Sequence, residues 1–213
     1  MNPYQETYDT WNKVAALYQE KFMEMDIYNY SYNAFLNSLG ITNAEILEIG
    51  CGPGNITRYL LSKQPDLRIL GIDVAPNMIA LAQKNNPAAQ FKVMDARDVS
   101  QLKSGYDGII CGFCLPYLSP ADGAQLISDC SGLLRTDGVL YLSFVEGDPA
   151  QSGFQTSSSG LRSYFNFYTL HKVTSLLAQQ HFKNMQIINV NYPKSCEKTE
   201  VHTVVIARKT NKK

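Results

Sequence analysis

Glu48, Gly50, Gly52 and Gly54 are the residues of this chain whose types and spacing point most directly to chemistry. They sit within Ala44 to Thr57, where Ile46, Leu47 and Ile49 read as a buried strand that breaks into a glycine turn and then opens a helix. Glycine lacks a Cβ, so the backbone there can take positive φ and a ligand can approach it closely. The helix that follows points free N–H groups and the positive end of its dipole back at the turn. A turn of this kind is built to hold part of a small polar ligand. Its spacing narrows the ligand. A dinucleotide fingerprint wants a third small residue five positions after the first glycine; here that place is Asn55, and the third glycine comes one residue early at Gly54. No Gly-Lys-Ser/Thr follows, so this is not a phosphate-cradling P-loop. Asn55 and Thr57 fall in the first helical turn, where helix-start hydrogen bonding explains them equally well.

Two further acids stand at the ends of apolar runs. Arg68 to Asp73 reads as a second strand ending in an acid, about 20 residues beyond the turn, where Asp can accept both hydroxyls of a ribose. Phe91 to Ala96 reads as a third strand ending in Asp95. Either acid alone would serve as a strand end or a helix cap; after this glycine turn, ligand contact is the better reading. Between them, Pro76 near a helix start is followed by helical periodicity through Met78. Tyr106 to Leu118 and Leu133 to Phe144 supply a fourth strand with its loop, then a helix end, tight turn and fifth strand. The elements that position the acids therefore alternate strand and helix, which implies a parallel sheet with helices on both faces. Met185 to Val190 and His202 to Ala207 are two later strands joined by about 11 loop-like residues, too short for a helical crossover, so they should pair antiparallel.

These motifs, in this order over residues 44–145, resemble the class I S-adenosylmethionine-dependent methyltransferases of small-molecule type. The resemblance implies an α/β, Rossmann-like three-layer sandwich. Its seven-stranded, mostly parallel sheet would have the order 3-2-1-4-5-7-6 and an antiparallel last strand. It implies S-adenosyl-L-methionine as cofactor and transfer of its methyl group, by in-line displacement, to a small-molecule acceptor. The cofactor-binding positions it carries over are Tyr18, Glu48, Gly50, Cys51, Gly52, Gly54, Asp73, Val74, Met78, Asp95, Ala96, Cys111 and Gly112. Among them Glu48 would orient the ligand's amino group, Asp73 the ribose, and Asp95 with the next backbone N–H the adenine. The leader Trp11 to Tyr18 resembles the aromatic-Asp-x-Val-Ala-x-x-Tyr segment of related enzymes, with Asn12 in place of Asp, and Tyr18 would close over the methionine end. Trp11, Val14, Ala15 and Tyr18 also fall at helical spacing and serve equally as core contacts.

The whole chain, 1–213, reads as one domain: a helical cap over 1–40 bearing Tyr28, Tyr30, Tyr32 and Phe35 as a lid, the cofactor core over 44–145, an acceptor-side insert over 146–168, and a final helix and strand pair over 169–208. The insert is polar and carries Ser157 to Gly160 as a local flexible stretch; Thr169 is the expected N-cap of the helix that follows. Tyr117, Arg162, Tyr164 and Tyr168 are the candidate acceptor contacts. Many relatives carry His after the fourth strand, where this chain has Pro116 and Tyr117, so no catalytic base is assigned. His171, His181 and His202 are read as surface or packing residues.

Composition sets the remaining bounds. At 213 residues and 45% hydrophobic the chain suits one well-buried core. Nineteen basic and 19 acidic residues cancel, which argues against a phosphate-backbone footprint, and Arg208 to Lys213 reads as a solvated basic tail. No apolar run suits a membrane span and no basic-then-apolar leader is visible. Five scattered cysteines suggest a reducing cytoplasm rather than a disulfide framework. Cys111 and Cys114 form a C-x-x-C pair without the second pair a zinc site needs, so no metal is expected. A metalloid methyltransferase using those two thiols is a minor alternative, and a cofactor-binding partner protein without turnover is the main one.

Overall fold

The structure is a computed structural model and describes residues 3–157, 160–195 and 198–210. Three helices lead in: α1 (Pro3–Lys13), α2 (Ala15–Phe22) and α3 (Asn29–Leu39). Strand and helix then alternate through β1 (Glu45–Ile49), α4 (Asn55–Lys63), β2 (Arg68–Asp73), α5 (Pro76–Asn85), β3 (Gln90–Val93), β4 (Tyr106–Gly112), α6 (Pro120–Leu133) and β5 (Leu134–Val145). A short hairpin, β6 (Gly153–Thr156) and β7 (Arg162–Phe165), precedes α7 (Leu170–Gln179), β8 (Phe182–Ser195) and β9 (Lys198–Lys209).

Alternation along the strands sets the layers. Ile46 of β1, Val139 and Tyr141 of β5, and Val204 and Ile206 of β9 pack with α3 and α4. Their neighbours Leu47 and Ile49, Leu140, Leu142 and Phe144, and Val205 and Ala207 pack with α6 and α7. A period of two sends successive side chains to opposite faces, so a sheet apolar on both faces requires helices on both. The sheet has seven strands in the order β3-β2-β1-β4-β5-β9-β8. With the β6–β7 hairpin set apart, the main-sheet strands run 3-2-1-4-5-7-6. Pairings among β1 to β5 are parallel, whereas β9 runs antiparallel to both β5 and β8. This is the α/β Rossmann-like three-layer sandwich that the resemblance implied.

Local signals end the helices where expected. Ser119 caps α6 by accepting from the Asp122 N–H, and Thr169 caps α7 by accepting from the Lys172 N–H. Gly40 closes α3 in the left-handed region. Asn12, the departure from the family leader, docks on the start of α5: its Oδ1 accepts from the Asn77 N–H at 2.9 Å.

Three expectations are corrected. The connection between the last two strands is not a loop. β8 runs to Ser195 and β9 starts at Lys198, with Asn191 opposite Val201 and Tyr192 opposite Glu200. Once two strands are in register their backbone groups extend the ladder whatever the side chains, and Pro193, which lacks an N–H, falls where the register shifts. The polar insert likewise contains the β6–β7 hairpin, whose connection is closed by the Ser157 N–H donating to the Leu161 carbonyl at 2.8 Å; Ser158 and Ser159 lie outside the described residues. The basic tail begins as ordered strand. Arg208 donates to the carbonyls of Ser38 and Asp137, and Lys209 Nζ donates to that of Leu134 at 2.7 Å. Residues 211–213 lie outside the described ones.

Candidate active site

The turn after β1 is a run of left-handed glycines: φ is 69° at Gly50, 53° at Gly52 and 81° at Gly54. Only one of the three faces open space. A Cβ on Gly50 would sit 2.8 Å from Cys114 Cβ and one on Gly54 2.3 Å from Asn86 Nδ2, whereas one on Gly52 would meet only the Tyr18 ring, at 3.7 Å. Gly50 and Gly54 thus permit packing, and Gly52 leaves a cradle beneath Tyr18. The N–H groups of Gly50 and Cys51 both donate to the Ile72 carbonyl at 2.9 Å, which ties the turn to the end of β2.

Asp73, at that strand end, holds the same turn from the other side. Its Oδ2 accepts from the Gly52 N–H and its Oδ1 from the Ala75 N–H, both at 2.9 Å. Burial pushes its pKa up against the pull of these backbone donors. Asp95 caps the 3-10 turn Ala96–Gln101 rather than ending β3. The Arg97 guanidinium forks onto it at 2.6 to 3.1 Å and lies 4.0 Å over the Tyr4 ring. Burial would raise the Asp95 pKa, but the Arg97 hydrogen bonds outweigh it and hold the carboxyl low. Glu48 is 1% exposed. Its Oε2 accepts from Thr57 Oγ1 and its Oε1 has no partner. Burial lifts its pKa to about 8, with the Thr57 bonds opposing.

Two cavities open from this turn. The larger, about 380 Å³, is lined by Tyr18, Gly50, Gly52, Asp73 and Val74, and by Met78, Asp95, Ala96 and Gly112, all predicted cofactor positions. Tyr4, Trp11 and Arg97 join them. The smaller, about 240 Å³, shares Trp11, Tyr18, Gly50, Gly52, Gly112, Phe113 and Tyr117 with the first. Cys51 lines this second space, whereas Glu48, Gly54 and Cys111 line neither cavity. Cys114 reaches the larger one, and its thiol is held protonated by a hydrogen bond with Cys111 and by burial. Among the described residues no three His, Cys, Asp or Glu side chains are grouped to hold a metal.

The smaller cavity is aromatic. Phe22, Tyr28 and Tyr32 come from the leader helices and their connection, Phe165 and Phe167 from the insert, and Tyr192 from β8. Of the lid candidates, Phe35 is instead fully buried beneath α3 and Tyr30 is exposed. Of the acceptor candidates, Tyr117 lines both cavities and Arg162, Tyr164 and Tyr168 line neither. Arg162 pairs with Glu6 at 2.7 Å, Tyr164 lies edge-on to Phe154, and Tyr168 is in the core, its hydroxyl donating to the Leu118 carbonyl. Strand alternation explains the exchange: Arg162 and Tyr164 share one face of β7, so Phe165 takes the other.

His202 was read as packing, yet it lines the smaller cavity. Its Nδ1 lies 2.6 Å from the Tyr28 hydroxyl and its Nε2 lies 3.4 Å from Glu200 Oε2. The signal was its place in β9: His202, Val204 and Ile206 alternate onto one face, and Glu200 precedes them by the same step. His171 and His181 line neither cavity.

A family profile described as "Methyltransferase domain" matches residues 46–138, the span that builds the glycine turn, both acids and β1 to β4. Residues 46–138 match a methyltransferase domain. Around it, 116 residues are 32% identical to the malonyl-[acyl-carrier protein] O-methyltransferase of Acetivibrio thermocellus, covering 52% of this chain and 40% of that protein. Another 95-residue match is 39% identical to the trans-aconitate 2-methyltransferase of Escherichia fergusonii, covering 45% and 36%. The chain thus spans half or less of the length of the curated relatives it matches. Solved methyltransferases share the whole architecture. One from Methanosarcina mazei superposes with a TM-score of 0.71 at 20% identity, over 83% of this chain and 97% of that one. The 1,6-didemethyltoxoflavin-N1-methyltransferase of Burkholderia thailandensis superposes with a TM-score of 0.74 at 23% identity, over 97% and 88%. The chain shares the fold of these solved methyltransferases.

Proposed function

We propose that this protein transfers a methyl group from S-adenosylmethionine to a small-molecule acceptor. One observation carries the reading: a cavity lined by the carboxylates Asp73 and Asp95 and an aromatic cavity meet at Gly50, Gly52, Gly112 and Phe113, beneath Tyr18. The residues present fit the cofactor. Gly52 leaves a cradle that a Cβ would fill and Asp73 offers a carboxylate beside it, while Glu48 Oε1 is an orphaned acceptor buried behind the turn. Asp73 would take the ribose hydroxyls, Asp95 and the Ala96 N–H the adenine, and the glycine turn the methionine end. When bound, the cofactor supplies an electrophilic methyl group on a sulfonium. The protein's part is to place the acceptor in line with it and to exclude water, which can account for much of the acceleration without a covalent enzyme step.

The acceptor side follows from the second cavity. Besides the glycine turn, the start of α4 and the loop after β4, its walls come from the leader, from the insert and from the two last strands, which lie outside the matched profile. One of these curated relatives is named for a small acid, trans-aconitate, which supports a small acceptor here. No helix among the described residues is long and apolar enough to cross a membrane, and Cys51, Cys111, Cys114 and Cys130 are free thiols, which suits a reducing, cytoplasmic compartment. Titration calorimetry with S-adenosylmethionine and S-adenosylhomocysteine tests the cofactor assignment, and absence of binding overturns it. Release of S-adenosylhomocysteine across a panel of small acceptors tests turnover; saturable binding without release from any of them would favour the partner-protein reading.

A further inference from the structure

The aromatic cavity contains one polar array that the cofactor reading leaves unused. Tyr28, at the start of α3, and His202, on β9, are joined at 2.6 Å between the phenol oxygen and Nδ1, and Glu200 stands at the other ring nitrogen. All three line the cavity. With Glu200 at Nε2 the imidazole proton belongs there, which leaves Nδ1 to accept from the Tyr28 hydroxyl. The ring is locked in place. It stacks on Tyr192 at 4.7 Å and 10° and runs parallel to Tyr28 at 4°, with Phe113 edge-on at 4.8 Å. A histidine so oriented, with a carboxylate behind it and a phenol in front, has the order of parts that a proton relay needs.

We propose that Tyr28, His202 and Glu200 form a relay that removes a proton from the methyl acceptor, and that the acceptor is a small, planar, uncharged ring bearing an ionisable hydroxyl or ring N–H. This rests on the methyltransferase reading of the same site. Tyr28 contacts the acceptor and is the catalytic residue; His202 and Glu200 act through it. As the acceptor's proton moves to the Tyr28 oxygen, the Tyr28 proton moves to His202 Nδ1. The electron pair of the acceptor's broken O–H or N–H bond goes to the methyl carbon, and the pair of the methyl–sulfur bond stays on sulfur. His202 is then a cation beside Glu200 and loses its proton to solvent. Tyr28 never has to become a phenolate, a form that burial above all, and then the nearby Tyr18, Tyr192, Tyr141 and Glu200, oppose.

The cavity's charge selects the class. Facing the relay are Tyr28 from the start of α3, Tyr192 from β8, Glu200 from β9 and uncharged Phe113. Among the described lining residues there is no Lys or Arg, and Glu200 is the charge present. A carboxylate acceptor needs no base and finds no Lys or Arg among the described lining; a phenol, an enol or a heteroaromatic N–H needs a base and meets stacking surfaces.

The test uses the full chain with 4-nitrophenol as probe and 4-nitrobenzoate as control, because ionised nitrophenol absorbs apart from its neutral form. At a pH below the probe's own ionisation, the wild-type protein should bind nitrophenol saturably and show the ionised band. Nitrobenzoate should bind at least about tenfold more weakly. Y28F keeps the ring contacts and removes only the link; it should lower the ionised fraction at least about tenfold while affinity for S-adenosylmethionine stays within about twofold, and H202N and E200Q should do the same. A bound probe that stays neutral, a Y28F protein that still ionises it, equal or tighter binding of nitrobenzoate, or no saturable nitrophenol binding each overturns the relay. Probe ionisation without any binding of S-adenosylmethionine would overturn the methyltransferase reading and leave the relay standing.

Discussion

Glu48→Gln gives the sharpest test of the turn's electrostatics. The carboxyl is 1% exposed, its Oε2 accepts from Thr57 and its Oε1 has no partner, so burial lifts its pKa from 4.5 to about 8. The unfolded chain loses this proton near 4.5 and the folded one keeps it to about 8, so the folded state binds more protons between those values. Stability therefore falls as pH rises through the window, at a limit of about 1.36 kcal/mol per pH unit. The gap from 4.5 to about 8 caps the effect at about 5 kcal/mol, a large share of a typical domain's stability. Glutamine mimics the neutral acid, can still accept from Thr57 and does not titrate. Urea unfolding of both ligand-free proteins from about pH 5 to about pH 9 should show E48Q gaining on wild type as pH rises, then levelling. A difference that is constant with pH, or that grows toward acid, refutes the reasoning.

Asp73→Ala removes the acceptor of the Gly52 and Ala75 N–H groups together with the ribose contact, and affinity for S-adenosylmethionine should fall at least about a hundredfold by calorimetry; unchanged affinity would sink the ribose assignment. Gly50→Ala combines a left-handed φ of 69° with a Cβ 2.8 Å from Cys114 Cβ, and should cost about 2–4 kcal/mol in denaturant unfolding. Adding Cys114→Gly should recover the steric part and leave the backbone part; no recovery would mean the contact is not the cause. Arg162→Ala removes an exposed pair with Glu6 away from both cavities, so cofactor affinity should stay at the wild-type value, and a marked loss would return Arg162 to the site.

The glycine turn and its neighbouring acids were legible because their parts are local. A strand, an acid, alternating glycines and a helix start lie within Ala44 to Thr57, and the strand-end acids follow at intervals set by one strand and one helix. Asp73 and Gly52 meet because β1 and β2 are parallel neighbours, which the alternation of elements already implied. Asp95 lines the same cavity as Asp73, but its pairing with Arg97 was not foreseen, since a carboxylate two residues from a guanidinium has no fixed geometry until the 3-10 turn is formed. The acceptor half was hidden. Arg162, Tyr164 and Tyr168 were chosen by chemical type, and the hairpin register turned them away while bringing Phe165 and Phe167 inward.

The sequence by itself determined the sheet, its reversed last strand and the glycine turn, because hydrophobic period and glycine spacing act over a few residues. Only the tertiary structure decided the second cavity. Tyr28 and His202 are 174 positions apart, and nothing local requires them to meet. They do so because α3 packs on the sheet face to which β9 turns His202, Val204 and Ile206, a juxtaposition made by the packing of layers rather than by any motif.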